Sequence, residues 1–344
     1  MKKITLSIFL LFFSGILFSQ SINVNTTTYS VSQLVQDVLI DSPCAQVSNF
    51  TSQGNCGIGY FSYGGSPANF AFQDGVIIRC GIATNSSGSF TDANLSSACP
   101  GATGDAQLSA ISQANGNNGS INDASFVKFN FTPFTDNFSF NFIFAYNEYG
   151  TYQCGFSDVF AFVLTDLSSG VSPNLAVIPG TNTPVTVKDI RDAAYNVACA
   201  SSNPNFFDVF NVSNPAASTL NMRGHTVVMN AASAVTHNTP YKIRLVIGDY
   251  QDARYDSAVF LASGSFITTL DLGPDDSFCY GDNRTLTTGL SETDYNHSWT
   301  LNGNSLAETG NTLTILESGA YEVIVTKPNT NCTITDAIVF YDLA

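Results

Sequence analysis

The amino-acid sequence predicts an all-β protein: a large antiparallel β-sandwich or jelly roll with one short N-terminal helix, plus a small C-terminal immunoglobulin-like sandwich. Three observations lead to this prediction. Apolar and polar residues alternate along most of the chain, the apolar runs are short and rich in aromatic and β-branched residues, and clusters of Gly, Asn, Pro and Asp separate them. Many short strands divided by turns favour a sandwich.

The N-terminal helix is predicted between Ser30 and Ile40. Its apolar residues follow the spacing of an amphipathic helix, at Val31, Leu34, Val35, Val38 and Leu39. Ser30 or Ser32 is expected to cap its start, and the Asp-Ser-Pro sequence at 41–43 is expected to end it. A second short helix is predicted over 188–197, where several apolar residues share one face.

Period-two alternation is clearest at 126–131 and at 138–144, where four Phe side chains lie on one face. Shorter apolar runs continue the strand pattern, at 159–164, 226–229, 241–247 and 258–262. The segment 85–122 is weakly periodic and rich in Gly, Ser, Asn and Ala, which predicts a long loop. Such a loop is either functional or a surface loop pinned by a disulfide.

A second unit is predicted to begin near Asp271, where a Gly-Pro-Asp-Asp turn follows. Short strands then recur at regular intervals, which suits a small immunoglobulin-like sandwich; they are predicted at 284–287, 298–301, 312–316, 321–326 and 334–341. Trp299 lies mid-strand, as a core Trp does. The predicted division is therefore a signal peptide at 1–19, a large β domain at 20–269 and a small module at 270–344.

The first residues show the three parts of a secretory signal: Lys2 and Lys3, an apolar run at 4–18, and Ser19 before a cleavage point. The alternative is a membrane anchor, but the run is shorter than the roughly 20 residues that span a bilayer. No later segment is long enough, so no transmembrane span is expected in the mature chain. We therefore predict a secreted or cell-surface protein.

Export places the eight cysteines in an oxidising compartment, where an even number without CxxC pairs predicts disulfides and not metal sites. Sequence order suggests the pairs Cys44–Cys56, Cys80–Cys99, Cys154–Cys199 and Cys279–Cys332. The last of these is favoured most, because both cysteines lie beside neighbouring strand ends of the small unit.

Charged residues make up only 11% of the chain, and the net charge is −15; the usual charged fraction is about 25%. An acidic chain without a Lys/Arg run is a poor binder of nucleic acid and of anionic membranes, because both need cations. Its hydrophobic fraction of 44% supplies enough core material to exclude long disorder.

The carboxylates suggest two kinds of site. Glu148 is the only Glu of the large domain, and with Asp158 it is a candidate catalytic pair for glycoside hydrolysis; the alternative is a strand-end Glu that faces solvent. No GxSxG or HExxH motif supports another hydrolase. Ca²⁺ takes about six to eight hard oxygens, and the candidate ligands are Glu148, Asp158, Asp249, Asp252 and Asp256. These Asp residues are alternatively turn caps that pair with Arg254.

Tyr146, Tyr149 and Tyr152 flank a Gly-containing turn. Aromatic rings beside Asn and Asp stack on sugar faces, so these residues are candidates for binding an extracellular glycan or surface polymer. The alternative is that the rings pack in the core or at its rim.

Five sequence blocks resemble the choice-of-anchor L family in order and spacing: DGVII at 74–78, FNFIFAYNEY at 140–149, FSDVFAF at 156–162, VIPGT at 177–181 and DSAVFLASGSF at 256–266. The family commonly has Ser in place of Tyr146 and usually Glu in place of Asn147. The resemblance implies a secreted or cell-surface protein of a Gram-negative bacterium, often exported by type IX secretion, and implies no known activity.

The tail resembles the immunoglobulin-like or polycystic-kidney-disease-type modules that follow such domains. No sorting or gliding-motility-associated C-terminal domain is visible, so the chain is expected to be truncated or to lack the usual anchor. The leading hypothesis is a non-catalytic surface module for adhesion or for glycan or polymer binding, stabilised by Ca²⁺. The alternative is a secreted polysaccharide hydrolase that uses Glu148 and Asp158.

Overall fold

The computed structural model describes residues 20–40, 44, 46–266, 270–279, 281 and 283–342. The predicted signal peptide at 1–19 and the predicted helix stop at 41–43 lie outside the described residues. Within the described part of the chain, no helix is long and apolar enough to cross a membrane.

The predicted N-terminal helix is present. Helix α1 (Val31–Gln33) begins after Ser30, whose side chain accepts the Gln33 N–H while the Gln33 side chain accepts the Ser30 N–H, a reciprocal capping box. The helix continues as a π-helix over Leu34–Ile40. Its apolar face packs into the core between the two sheets of the sandwich.

Two antiparallel sheets form the large unit. The eight-stranded sheet comprises β1 (Asn23–Asn25), β3 (Ile58–Ser62), β4 (Asp74–Arg79), β6 (Asn137–Tyr146), β9 (Phe207–Phe210), β10 (Gly224–Thr226), β11 (Met229–Ala234) and β13 (Ser257–Ala262). The five-stranded sheet comprises β2 (Gln46–Gln53), β5 (Ile121–Thr132), β7 (Val159–Asp166), β8 (Val185–Thr186) and β12 (Tyr241–Tyr250). The predicted strand at 226–229 is wrong as a single element, because the chain leaves the sheet between β10 and β11.

An aromatic core joins the two sheets. The four Phe side chains of β6 all lie in it, as the alternation predicted. Phe140 packs against Phe162 of β7 with ring centroids 4.6 Å apart, and Phe142 lies 5.5 Å from Phe160. The inner faces of both sheets are therefore dry along most of their length.

The segment predicted as a loop contains helix α2 (Ala106–Ala114), so that prediction is wrong over these residues. Asp105 caps the helix by accepting the Leu108 N–H at 2.8 Å, and Arg244 of β12 pairs with the same carboxylate. Leu108 is buried on the outer face of the five-stranded sheet. Helix α2 was missed because its small and polar residues give a weak apolar stripe and tertiary packing supplies its stability.

The predicted helix at 188–197 is wrong, because this segment forms successive turns. Its backbone groups are bonded elsewhere: the Ile190 carbonyl accepts the Tyr146 hydroxyl, and Arg191 forms a β-bridge with Ser202. The shared apolar face reflects burial of Val187 and Ile190 in the core and not a helical period. Short 3-10 turns occur at Asn55–Gly57, Ala83–Ser86, Pro204–Phe206, Asn211–Ser213 and Pro215–Ala217.

The tail forms two further sheets close to where its strands were predicted. One contains β14 (Asp276–Phe278), β16 (Asn296–Leu301), β17 (Asn304–Ser305), β19 (Gly319–Thr326) and β20 (Thr333–Asp342), and the other pairs β15 (Arg284–Thr287) with β18 (Thr312–Ile315). Trp299 is fully buried between them, and its Nε1–H donates to the Gly310 carbonyl at 2.9 Å. The domain boundaries remain a prediction.

The disulfides differ from the order predicted. Cys154–Cys199 is present as predicted, but Cys56 pairs with Cys99, Cys44 pairs with Cys332, and Cys80 is a buried thiol. The Cys44–Cys332 bridge spans 288 residues and ties the tail to the large unit, where Phe134 also packs on Tyr295 at 4.6 Å. Pairing by neighbouring sequence position failed because strands distant in sequence are adjacent in space.

Truncating Phe140 tests the inter-sheet core. Phe140→Ala is expected to lower the free energy of unfolding by about 3–5 kcal/mol, because it leaves a cavity among aromatic rings that cannot close. Urea unfolding measures the loss. Val197→Ala is the control, since Val197 is 92% exposed, and a loss equal to that of the control would contradict the assigned core.

Candidate functional site

One end of the sandwich holds a layer of polar side chains that continues the inner faces of both sheets. Cys80 directly follows β4, Glu148 follows β6, Asp158 precedes β7, and Asp249 and Ser257 lie in β12 and β13. Each is at most 1% exposed. Period-two alternation places them on the same side as the apolar core residues, so they are buried between the sheets.

A short chain of hydrogen bonds links the two sheets at this end. The Cys80 thiol donates to Asp249 Oδ1 at 2.7 Å, and its sulfur accepts the Ser257 backbone N–H at 3.1 Å. The Ser257 hydroxyl donates to Asp158 Oδ2 at 2.8 Å and lies 3.5 Å from Glu148 Oε2. Asp158 Oδ1 accepts the Tyr250 N–H at 2.9 Å. We call Cys80, Glu148, Asp158 and Asp249 the inner acidic cluster.

Two carboxylate oxygens of the inner acidic cluster have no hydrogen-bond partner: Glu148 Oε1 and Asp249 Oδ2. Buried polar atoms are nearly always hydrogen-bonded, and an unsatisfied one costs about 1–3 kcal/mol or more for a charged group. No Lys, Arg or His among the described residues forms an ion pair with the cluster. Its negative charge must therefore be neutralised by protons or by a cation.

Burial changes the acidity of the inner acidic cluster. Burial raises the pKa of Asp158 to about 7, although the Tyr250 N–H stabilises its ionised form. The pKa values of Glu148 and Asp249 are raised well above their usual range, first by burial and then by the neighbouring carboxylates. Burial and the adjacent Asp249 likewise raise the pKa of the Cys80 thiol.

Asp256 lies on the opposite face of its strand and is neutralised differently. Its Oδ2 pairs with Arg79 Nε at 3.0 Å and accepts the Ser97 hydroxyl, and its Oδ1 accepts the Ser97 N–H. Both partners of the ion pair are fully buried. Gly81, at φ +131°, is needed here because a Cβ would lie 2.0 Å from Asp256 Oδ2.

The structure therefore divides the five predicted metal ligands. Glu148, Asp158 and Asp249 converge; Asp256 forms the separate ion pair, and the partly exposed Asp252 accepts the Arg254 N–H within its own turn. Sequence reasoning missed Cys80 as a cluster member, because all cysteines were assigned to disulfides. The period-two position of Cys80 after Val76 and Ile78 was the available signal.

The three candidate ligand-binding tyrosines have different environments. Tyr146 and Tyr149 are fully buried: the Tyr146 hydroxyl donates to the Ile190 carbonyl, and the Tyr149 ring stacks on Phe207 at 3.6 Å. These two rings have no face open to solvent and pack in the core, as the alternative prediction held. Tyr152 is only half-buried.

Tyr152 belongs to a surface group that we call the tyrosine patch: Tyr152, Tyr255, Arg223 and Asp92. The two tyrosine rings lie 4.5 Å apart, and the Arg223 guanidinium lies 5.4 Å from the Tyr255 ring centre. Arg223 also pairs with Asp92, whose side chain is 61% exposed. The patch combines aromatic faces with charged hydrogen-bonding groups at the surface.

The fold and the buried layer define a two-sheet β module whose acidic side chains are enclosed and whose aromatic groups partly reach the surface. The chain belongs to the Choice-of-anchor L domain family, which matches residues 23–267. This membership fits a module of a surface or secreted protein. No curated protein matches the chain.

Two solved structures show weak similarity to the chain. The adhesin domain of Epf from Streptococcus pyogenes is 10% identical, with 64% of this chain and 73% of that chain covered and a TM-score of 0.22. A beta-1,2-glucanase from Parabacteroides distasonis is 8% identical, with 64% and 31% covered and a TM-score of 0.18. TM-scores this low establish no common fold, and neither protein's activity bears on this chain.

Removing Arg79 tests the buried ion pair. Arg79→Ala is expected to cost about 3–5 kcal/mol in unfolding free energy, because it leaves Asp256 buried without a counter-ion. Urea unfolding is again the measurement. Arg284→Ala, which breaks an exposed pair with Asp276, is expected to leave the midpoint unchanged; equal effects of the two variants would show that Asp256 is not enclosed.

The raised pKa of Asp158 predicts a stability that depends on pH. In the presence of chelator, its stabilising contribution is full below about pH 4, near its unfolded pKa, and is lost as pH rises through its folded pKa of about 7. Unfolding midpoints measured across that range should fall, and Asp158→Asn should flatten the decline. Asp252→Asn is the matched control; an Asp158→Asn profile as steep as that of the wild type would contradict the assignment.

Proposed function

We propose that this protein is a non-catalytic module of the bacterial cell surface that binds an extracellular glycan or other surface polymer. The observation that carries the proposal is that the candidate catalytic carboxylates of this protein are buried whereas its tyrosine patch lies at the surface. The carboxylates suited to catalysis are sealed between the sheets, whereas the tyrosine patch reaches the surface. Family membership supports a surface or secreted setting.

The tyrosine patch has the composition expected for carbohydrate recognition. Tyrosine rings offer large, rigid faces at low conformational cost, and binding hot spots are enriched in Tyr and Arg. Asp92 and Arg223 supply an acceptor and donors beside the rings. A low charged fraction also leaves a surface of Asn, Ser and Thr, which favours hydrogen bonding to neutral hydroxyl groups.

A bound cation completes this proposal as a stabilising element, with Ca²⁺ the ion predicted from the sequence. Glu148, Asp158 and Asp249 supply hard oxygens, and a divalent cation there would relieve repulsion between buried carboxylates. This role is structural, because the cluster is closed to a polymer.

The wider setting follows from the sequence features and the family. An N-terminal signal peptide would export the chain, and type IX secretion in a Gram-negative bacterium would deliver it. The tail would act as an immunoglobulin-like spacer, held to the large unit by Cys44–Cys332.

The alternative is a polysaccharide hydrolase that uses Glu148 and Asp158. The raised pKa of Glu148 is the property a general acid requires. Both carboxylates are nevertheless buried. The same Ser257 hydroxyl donates to Asp158 Oδ2 and lies 3.5 Å from Glu148 Oε2. A glycosidase needs its two carboxylates on either side of an accessible sugar linkage, so this geometry disfavours the hydrolase.

Removing the aromatic faces tests the proposal. Tyr152→Ala and Tyr255→Ala should each weaken binding on a glycan array or on purified cell-surface polymer by about 2 kcal/mol, roughly thirtyfold, if the rings are hot spots. Isothermal titration against the best array ligand measures the loss. Tyr341→Ala is the control, because Tyr341 is an exposed tyrosine of the tail.

Two results would contradict the proposal. Binding that is equal in the wild type and both patch variants would place recognition elsewhere. The hydrolase would be supported instead if the wild type turns over any polysaccharide and Glu148→Gln abolishes that turnover without changing the melting temperature.

A further inference from the structure

We propose that Cys80, Glu148, Asp158 and Asp249 form a structural site for a thiophilic divalent cation of the Zn²⁺ type, enclosed at one end of the sandwich. This inference rests on the stabilising cation of the proposed function and names its chemical class. It differs from the sequence-based expectation of Ca²⁺ because a thiol is part of the donor set.

The geometry brings the donors together from both sheets. Ligand atoms of Cys80, Asp158 and Asp249 all lie within 4.8 Å of one another, and Glu148 reaches the same Ser257 hydroxyl that binds Asp158. These residues come from the ends of different strands, so an ion there would tie β4, β6, β7 and β12 together. The site is closed to solvent, as structural metal sites are.

The unpartnered oxygens are the second observation. Glu148 Oε1 and Asp249 Oδ2 are fully buried and have no hydrogen-bond partner, although every other oxygen of these two side chains and of Asp158 has one. Buried lone pairs of this kind are uncommon in folded proteins. A cation beside the cluster would be coordinated by both oxygens. It would also neutralise the negative charge that no described Lys, Arg or His neutralises.

The donor set decides the class of ion. Ca²⁺ takes about six to eight oxygen ligands, whereas the three carboxylates supply three oxygens if each contributes one, and the remaining donor is the sulfur of Cys80. Zn²⁺ is satisfied by about four ligands and accepts thiolate and carboxylate together. Soft thiolate ligands select such ions over Ca²⁺ and Mg²⁺. On binding, the Cys80 thiol and any protonated carboxyl would each release a proton to solvent.

The test uses the full chain, stripped with chelator and then titrated with Zn²⁺, Co²⁺ or Ca²⁺. Wild type should bind one equivalent of Zn²⁺ by equilibrium dialysis, should melt at a higher temperature with Zn²⁺, and should show a thiolate-to-cobalt charge-transfer band with Co²⁺. Cys80→Ser should lose the cobalt band and about 100-fold or more in Zn²⁺ affinity, since even outer-shell changes cost about 10–100-fold. Asp252→Asn, outside the cluster, should behave as wild type.

The other outcomes separate the two proposals. If Ca²⁺ raises the melting temperature of wild type and Cys80→Ser equally and Zn²⁺ does not bind, the thiophilic assignment is overturned and the cation-stabilised module stands. If neither ion binds and no cobalt band appears in wild type, the metal site itself is overturned and protons neutralise the cluster. Glycan binding through the tyrosine patch is measured separately and is unaffected by either result. The cobalt spectrum of wild type decides the question even if Cys80→Ser does not fold.

Discussion

Packing of the two sheets across an aromatic core is the interaction on which the rest of this structure depends. The Phe residues of β6 interlock with Phe160 and Phe162 of β7 and exclude water from the inner faces. Because strands alternate their side chains, the residues that continue those faces beyond the core are drawn into the same dry layer. Cys80 and the buried carboxylates lie there for that reason, and their burial in this layer raises their pKa values.

Buried charge is neutralised differently on the outer face of the eight-stranded sheet and in the layer between the two sheets. On the outer face, Asp256 pairs with Arg79, and the segment that contains Ser97 covers them. Between the sheets, no Lys, Arg or His in the described part of the chain forms an ion pair with Asp158 or Asp249. One carboxylate is thus balanced within the protein, whereas the inner cluster depends on protons or on an ion. The stability of the module is therefore linked to the pH of its surroundings and to the cations they contain.

A buried tyrosine and a surface tyrosine are separated by only a few residues. Tyr149 stacks inside the core on Phe207, whereas Tyr152, three residues later, reaches the surface beside Tyr255 and Arg223. The Gly-containing turn between them moves the chain from the dry layer to the solvent.

The sequence alone determined the all-β class, the capped N-terminal helix and several strands of each unit, including β5, β6, β7, β12 and β13, because alternation and end signals are local properties. It also predicted five carboxylates as metal ligands, of which the structure brings together Glu148, Asp158 and Asp249. It did not identify α2, whose burial comes from contact with β5, β7 and β12 and not from its own apolar stripe. Only the tertiary structure decided that Cys80 joins the carboxylates while Cys56 pairs with Cys99, the partner predicted for Cys80. The physical reason is that strand order in a sheet brings distant residues together, and a local pattern fixes which face a side chain occupies but not what it meets there.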